Sequence, residues 1–155
     1  MSGILAATDG SPGGAKAVAF AAAMARKFDE ALLLLNVMPE FDPDTGSYHG
    51  VDPGDTGLKR LLEAERMPLG EFLENASREI LSAAKACAEA EGVSRIITVS
   101  RGGDPADVIL AVAAEHASDV IAVGKRGRGR LAGLLLGSVS QKLVTLAPCV
   151  VLVVP

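Results

Sequence analysis

The sequence predicts an α/β fold: a three-layer arrangement in which an open sheet of five parallel strands lies between two layers of helices. Two observations carry this. Five short apolar runs alternate with four main helical patterns along the chain, and that alternation implies parallel pairing through right-handed crossovers. The second run holds the consecutive leucines Leu32, Leu33, Leu34 and Leu35, as expected of a strand covered on both faces. The regularity of the alternation argues against an α+β fold. At 155 residues without internal repeat or low-complexity tract, one domain over residues 1–155 is expected.

The elements follow in order. Gly3–Thr8 reads as the first strand. Ser11 can cap the next helix, with Pro12 at its first position, where a missing N–H costs nothing. That helix runs to about Phe28, and its small residues Ala15, Ala19, Ala22 and Ala23 suggest close packing on the sheet. Ala31–Val37 is the second strand. Pro39–Gly57, rich in Pro, Gly, Asp and Thr, has no periodicity and reads as a long surface loop, of a length that often lies beside a site. Leu58–Met67 reads as a short helix. From Pro68 a long helix runs to Glu91 with Leu69, Leu73, Ala76, Ile80, Ala84 and Cys87 on one stripe, and Gly92 ends it. Arg95–Ser100 is the third strand. Asp104-Pro105 opens the next helix, with Asp107 as a weaker capping-box analogue and Val108, Ile109, Val112 and Ala113 on its buried face. Asp119–Val123 is the fourth strand, Val139–Leu146 the last helix and Cys149–Val154 the fifth strand.

The stretch between the fourth strand and the last helix, GKRGRGRLAGLLLGSVS, carries the chemistry. Gly124, Gly127, Gly129, Gly133 and Gly137 remove Cβ atoms where a backbone can approach a ligand, and Lys125, Arg126, Arg128 and Arg130 add positive charge. A strand, a glycine loop and a helix N-terminus together converge N–H groups on an anion. The Ser138 and Ser140 hydroxyls stand at that N-terminus. No GxxxxGK[ST] occurs, so a Walker A loop is excluded. Gly127-Arg128-Gly129-Arg130-Leu131-Ala132 matches GxGxxG/A, but a dinucleotide site needs an acidic residue about 20 positions on. The chain has no acidic residue after Asp119, so that reading fails.

Thr8-Asp9-Gly10-Ser11 closes the first strand. Asp9 either terminates the strand and helps cap the helix, or flanks a crevice together with Gly124 if the first and fourth strands are neighbours. In the second case it would accept from a ribose hydroxyl or approach a phosphate-bound Mg²⁺ through water. Val37 is either a core valine or a source of backbone atoms for a base. His49 and His116 read as surface or capping residues, and Asp104 as a cap. No Ser/His/Asp set, carboxylate pair or metal cluster is visible, which favours a binding module over an enzyme.

Bulk properties restrict partners. Net charge is −4 and aromatic content 3%, which argues against nucleic acid as a partner. No apolar run reaches the roughly 18–20 residues needed to span a bilayer, and the N-terminus lacks the basic region of a signal peptide. Cys87 and Cys149 form no CxxC pair and no metal spacing with the histidines, and read as reduced core residues of a cytoplasmic protein.

With these residues the chain resembles the universal stress protein family, specifically its ATP-binding branch. The signature G-x2-G-x9-G-[ST] stands as Gly124-Lys125-Arg126-Gly127, nine residues, then Gly137-Ser138. Asp9-Gly10-Ser11, Gly103-Asp104-Pro105, Ala117-Ser118-Asp119 and Ala147-Pro148-Cys149 match the flanking pattern. The resemblance implies an adenine nucleotide alpha hydrolase-like sheet of order 3-2-1-4-5. It places ATP against Ala7, Asp9 and Val37 on the adenosine side. Ribose and phosphates would meet Val123, Gly124, Arg126, Gly127, Gly137, Ser138, Val139 and Ser140, with Mg²⁺ held mainly by the phosphates. It also implies a homodimer in which Cys149–Val154 meets its copy; a bare apolar sheet edge is otherwise an association hazard. Val150 stands where the family often has proline. The expected role is a nucleotide-dependent stress-response module. A slow ATPase or self-phosphorylating protein using Ser138 or Ser140, and a nucleotide-free dimeric scaffold, are the alternatives.

Overall fold

The computed structural model of the protein describes residues 3–49, 51, 54–127 and 136–155. β1 (Ile4–Ala7), α1 (Pro12–Phe28) and β2 (Leu32–Met38) come first. A small hairpin of β3 (Phe41–Asp42) and β4 (Ser47–Tyr48) follows, then α2 (Thr56–Glu65) and α3 (Leu69–Ala90). The chain continues through β5 (Ile96–Gly102), α4 (Pro105–Glu115), β6 (Val120–Gly124), α5 (Ser138–Leu146) and β7 (Val150–Val154). Five strands form one parallel sheet in the order β5-β2-β1-β6-β7. Counting only those strands, this is the order 3-2-1-4-5.

The period-2 alternation of the central strands divides the core. Ile4, Ala6, Leu32, Leu34, Val120 and Ala122 face the layer of α1 and α3. Leu5, Leu33, Leu35, Ile121 and Val123 face the layer of α4 and α5. Leu32, Leu34 and Leu35 are fully buried, each worth about 1.5–3 kcal/mol relative to exposure. Cys87 packs on the first layer and Cys149 on the second, and both are free thiols.

Three sequence readings need correction. On α1 the buried face is Gly14, Ala17, Val18, Ala21, Ala22 and Ala25, whereas Ala15 and Ala23 are exposed; alanine is too common in this helix to report its phase, which Val18 sets. On α3 the buried positions are Ser77, Leu81, Ala84 and Ala88; Ala84 belongs to the expected stripe, and its other members, Leu69, Leu73, Ala76, Ile80 and Cys87, are half-buried beside them. Ser77 is what hid this deeper line. A serine reads as solvent-facing, yet its Oγ lies 2.7 Å from Ser100 Oγ of β5 and is satisfied there. Finally, the segment after β2 is not wholly irregular. Asp42 accepts from the Asp44 amide at 2.9 Å, Gly46 N–H donates to the Asp42 carbonyl at 2.8 Å, and the Phe41 and Tyr48 rings meet at 5.2 Å between centroids. Two-residue strands carry no periodicity to detect. Tyr48 seats this hairpin on α3, since a Cβ at Gly70 would lie 2.7 Å from its hydroxyl. α2 is capped by Asp55 and buries no residue.

Candidate functional site

Connections leave β1 toward β2 on one side and pair it with β6 on the other. Strand order reverses there, and in open α/β sheets the crevice beyond the carboxyl ends of such strands is where ligands bind. A cavity of about 270 Å³ occupies this position.

Its first wall is the turn after β1. Asn36, buried in β2, donates from Nδ2 to the Thr8 carbonyl at 2.8 Å. Thr8 Oγ1 accepts from the Gly10 amide at 3.2 Å and Asp9 Oδ1 from the Ser11 amide at 2.9 Å. Gly10 takes φ +77°, a conformation that glycine adopts without steric cost. Ser11 Oγ then accepts from the Gly14 amide at 3.1 Å and caps α1. One Asp9 carboxylate oxygen thus shapes the turn, and the side chain also lines the cavity.

The second wall is the exit of β6. Lys125 N–H donates to the Val154 carbonyl at 2.6 Å, and Gly137 N–H returns to the Lys125 carbonyl at 2.8 Å. Buried Ser140 directs its hydroxyl to the Lys125 and Gly137 carbonyls, each at 3.0 Å. That hydroxyl ties the two ends of the glycine loop together; what it leaves for an anion is the amide behind it. Ser138, by contrast, is exposed at the start of α5.

The glycines divide into two kinds. A Cβ at Gly124 would lie 2.7 Å from the Gly13 carbonyl carbon, and one at Gly13 would lie 2.9 Å from the Arg126 carbonyl oxygen. These two let β6 and α1 cross backbone to backbone. A Cβ at Gly127 would meet Asp9 Oδ2 at 2.7 Å, inside the cavity wall.

Helix termini supply the remaining donors. α1, α2 and α4 begin with side-chain caps from Ser11, Asp55 and Asp104. Among the described residues, α5 begins at Gly137 with no side-chain cap hydrogen bond, and its first three residues line the cavity. A helix N-terminus left uncapped in a crevice presents N–H groups and partial positive charge to an anion.

Ala7, Asp9, Val37, Val123, Gly124, Arg126, Gly127, Gly137, Ser138, Val139 and Ser140 all line this one cavity, whereas Lys125, also marked from the sequence, does not. Arg128, Gly129, Arg130, Leu131, Ala132 and Gly133 lie outside the described residues. Sequence reasoning missed Leu35, Pro105 and Ile109. The signal for the last two was present: Asp104-Pro105 opens α4, and a helix starting at the end of β5 must cross over β2. Its lining thus combines the apolar cluster of Leu35, Val37, Ile109 and Val139 with the polar side chains of Asp9, Arg126 and Ser138. His49 stands in the hairpin with Nε2 3.8 Å from Asp42, and His116 ends α4; neither lines the cavity. Among the described residues, no group of three or more His, Cys, Asp or Glu could hold a metal by itself, and no helix is long and apolar enough to cross a membrane.

A parallel five-stranded sheet with this order and a crevice at its switch point defines an adenine nucleotide alpha hydrolase-like α/β protein. The sequence profile of the universal stress protein family matches residues 1–155, and the chain belongs to that family. It is 37% identical to a universal stress protein of Thermus aquaticus over 97% of this chain and 96% of that one. A universal stress protein in complex with cAMP superposes with a TM-score of 0.69 at 25% identity, over 98% of this chain and 95% of that chain. The universal stress protein of Archaeoglobus fulgidus in complex with dAMP does so with a TM-score of 0.64 at 20% identity, over 99% and 97%.

Proposed function

We propose that this chain is an ATP-binding universal stress protein, a cytoplasmic regulatory module whose bound nucleotide biases its conformation or partner surface. The observation that carries the reading is the uncapped N-terminus of α5, opening into the same cavity as Asp9. Adenine packs among Leu35, Val37 and Ile109, with the Ala7 and Val37 backbones at its edge. Asp9 accepts from the ribose. Arg126, the Gly127 and Gly137 backbone and the amides of Ser138, Val139 and Ser140 hold the phosphates, beside Val123 and Gly124. Mg²⁺ travels with the phosphates and supplies charge neutralisation. The cAMP complex of a relative with the same fold supports a nucleotide over other anions.

Among the described residues Asp9 is the one carboxylate lining the cavity, and this reading gives it to the ribose, so the role read here is binding rather than turnover. One observation keeps a second reading in view: Ser138 is exposed at the mouth of the phosphate end, where slow hydrolysis or self-phosphorylation would involve it. Calorimetry with ATP and Mg²⁺, with mass spectrometry of ligand released from purified protein, tests the first reading. Absence of both a binding signal and a co-purified nucleotide leaves only a scaffold. Timed ADP release, compared with Ser138→Ala, tests the second.

The same reading includes a homodimer. β7 is an edge strand, Val150 is 63% exposed, and Val144 and Leu146 of α5 are exposed beside it. Pairing of Cys149–Val154 with its copy would cover this edge.

A further inference from the structure

α4 and α5 both begin at the rim of the cavity, α4 contributing Pro105 and Ile109 to its lining. The first turn of α4 carries two carboxylates, the cap Asp104 and Asp107. Alone, they would put negative charge at the rim where α5, whose first residues line the same cavity, also begins. Asp104 Oδ1 accepts from the Asp107 amide at 3.1 Å, which settles the cap but leaves the charge in place. Lys142, in the second turn of α5, meets both: Nζ lies 3.3 Å from Asp104 Oδ1 and 2.8 Å from Asp107 Oδ1. Asp107 is consequently turned to α5 rather than back to the start of its own helix, where a capping box would have placed it.

A pair this exposed contributes little to stability: the side chains are 40% exposed for Lys142, 55% for Asp104 and 65% for Asp107. Its field is another matter. Lys142 stands two to four residues along α5 from the cavity-lining Ser138, Val139 and Ser140, about one helical turn or less and within a Debye length at ordinary ionic strength. We propose that Lys142 is a specificity-determining residue: by offsetting half of the negative charge of Asp104 and Asp107 it sets how steeply affinity rises with the number of phosphates on the ligand. This rests on the nucleotide reading above. A neutral nucleoside does not feel the cluster, a monophosphate feels it weakly, and a triphosphate strongly, because the interaction scales with ligand charge.

The experiment is calorimetric titration of adenosine, AMP and ATP into wild type, Lys142→Met, Lys142→Arg and Asp107→Asn, at low salt and in about 1 M salt. Lys142→Met should weaken ATP about three- to tenfold at low salt, AMP less, and adenosine not at all. Lys142→Arg should restore ATP affinity, and about 1 M salt should erase the difference. Asp107→Asn should strengthen ATP about two- to threefold with adenosine unchanged; this exposed substitution carries the test if Lys142→Met does not fold. Equal losses for adenosine and ATP, or ATP affinity unchanged in both charge variants, overturn the proposal while leaving the nucleotide reading intact. Wild type that binds neither AMP nor ATP overturns both.

Discussion

Gly124 and Gly127 stand in one loop and answer to different neighbours. Gly124 faces the backbone of α1, and a Cβ there must displace main-chain atoms of Gly13. Gly124→Ala is therefore an overpacking substitution, costing about 1–3 kcal/mol, or roughly 2–12 °C of melting temperature at this size, readable by calorimetry without ligand. Gly127 faces Asp9 Oδ2, the oxygen of that carboxylate other than the one accepting from the Ser11 amide, and a side-chain tip yields more readily than main chain. Gly127→Val should leave the melting temperature nearly unchanged and lower nucleotide affinity instead; unchanged affinity would contradict the site. The glycine spacing in the sequence marked the loop correctly. It could not separate glycines that admit a ligand from one that admits a helix, because Gly13 is far away along the chain. Ser140 shows the same limit: its place at the start of α5 was legible, but not that its hydroxyl is spent on two carbonyls.

α4 begins where its cap says it should. The Asp107 amide, with Lys142 beside it, holds the Asp104 carboxyl below the usual carboxylate range. A group depressed in the folded state contributes stability above its unfolded value, about 3.9, and loses it as pH falls through the folded value. Asp104→Ala should cost about 1 kcal/mol at neutral pH. Asp104→Asn keeps a capping oxygen at every pH, so its melting temperature should fall less than that of wild type between about pH 4 and pH 2; parallel acid profiles would exclude Asp104 as a contributor. At this scale the sequence was most legible where an element has a cap, a breaker or strict alternation. Ser11, Asp104, Gly92 and the leucines of β2 placed four elements within a residue or two. It was least legible where the stabilising contact is long-range, as in the Tyr48–Gly70 seat of the hairpin and the Ser77–Ser100 bond that sets the phase of α3.

For the whole molecule, a ligand that binds only the folded chain raises its stability by mass action. ATP at a hundredfold excess over its dissociation constant adds about 2.7 kcal/mol, a shift of roughly 5–11 °C, and the shift should shrink in Gly127→Val. The proposed association through β7 predicts a dimer by light scattering at micromolar concentration and a monomer for Val150→Lys, since a charged edge does not pair with its copy.

The two thiols sit on opposite sides of the sheet, and that makes the molecule its own reporter. Cys149 belongs to the compartment that closes over the crevice, and burial raises its pKa and keeps it protonated; Cys87 belongs to the other. In the Val150→Lys variant, where the proposed dimer no longer covers Cys149, their alkylation rates measure the breathing of each half separately. An occupant of the crevice should slow modification at Cys149 and spare Cys87, so that one mass spectrum tells which side of the protein has tightened.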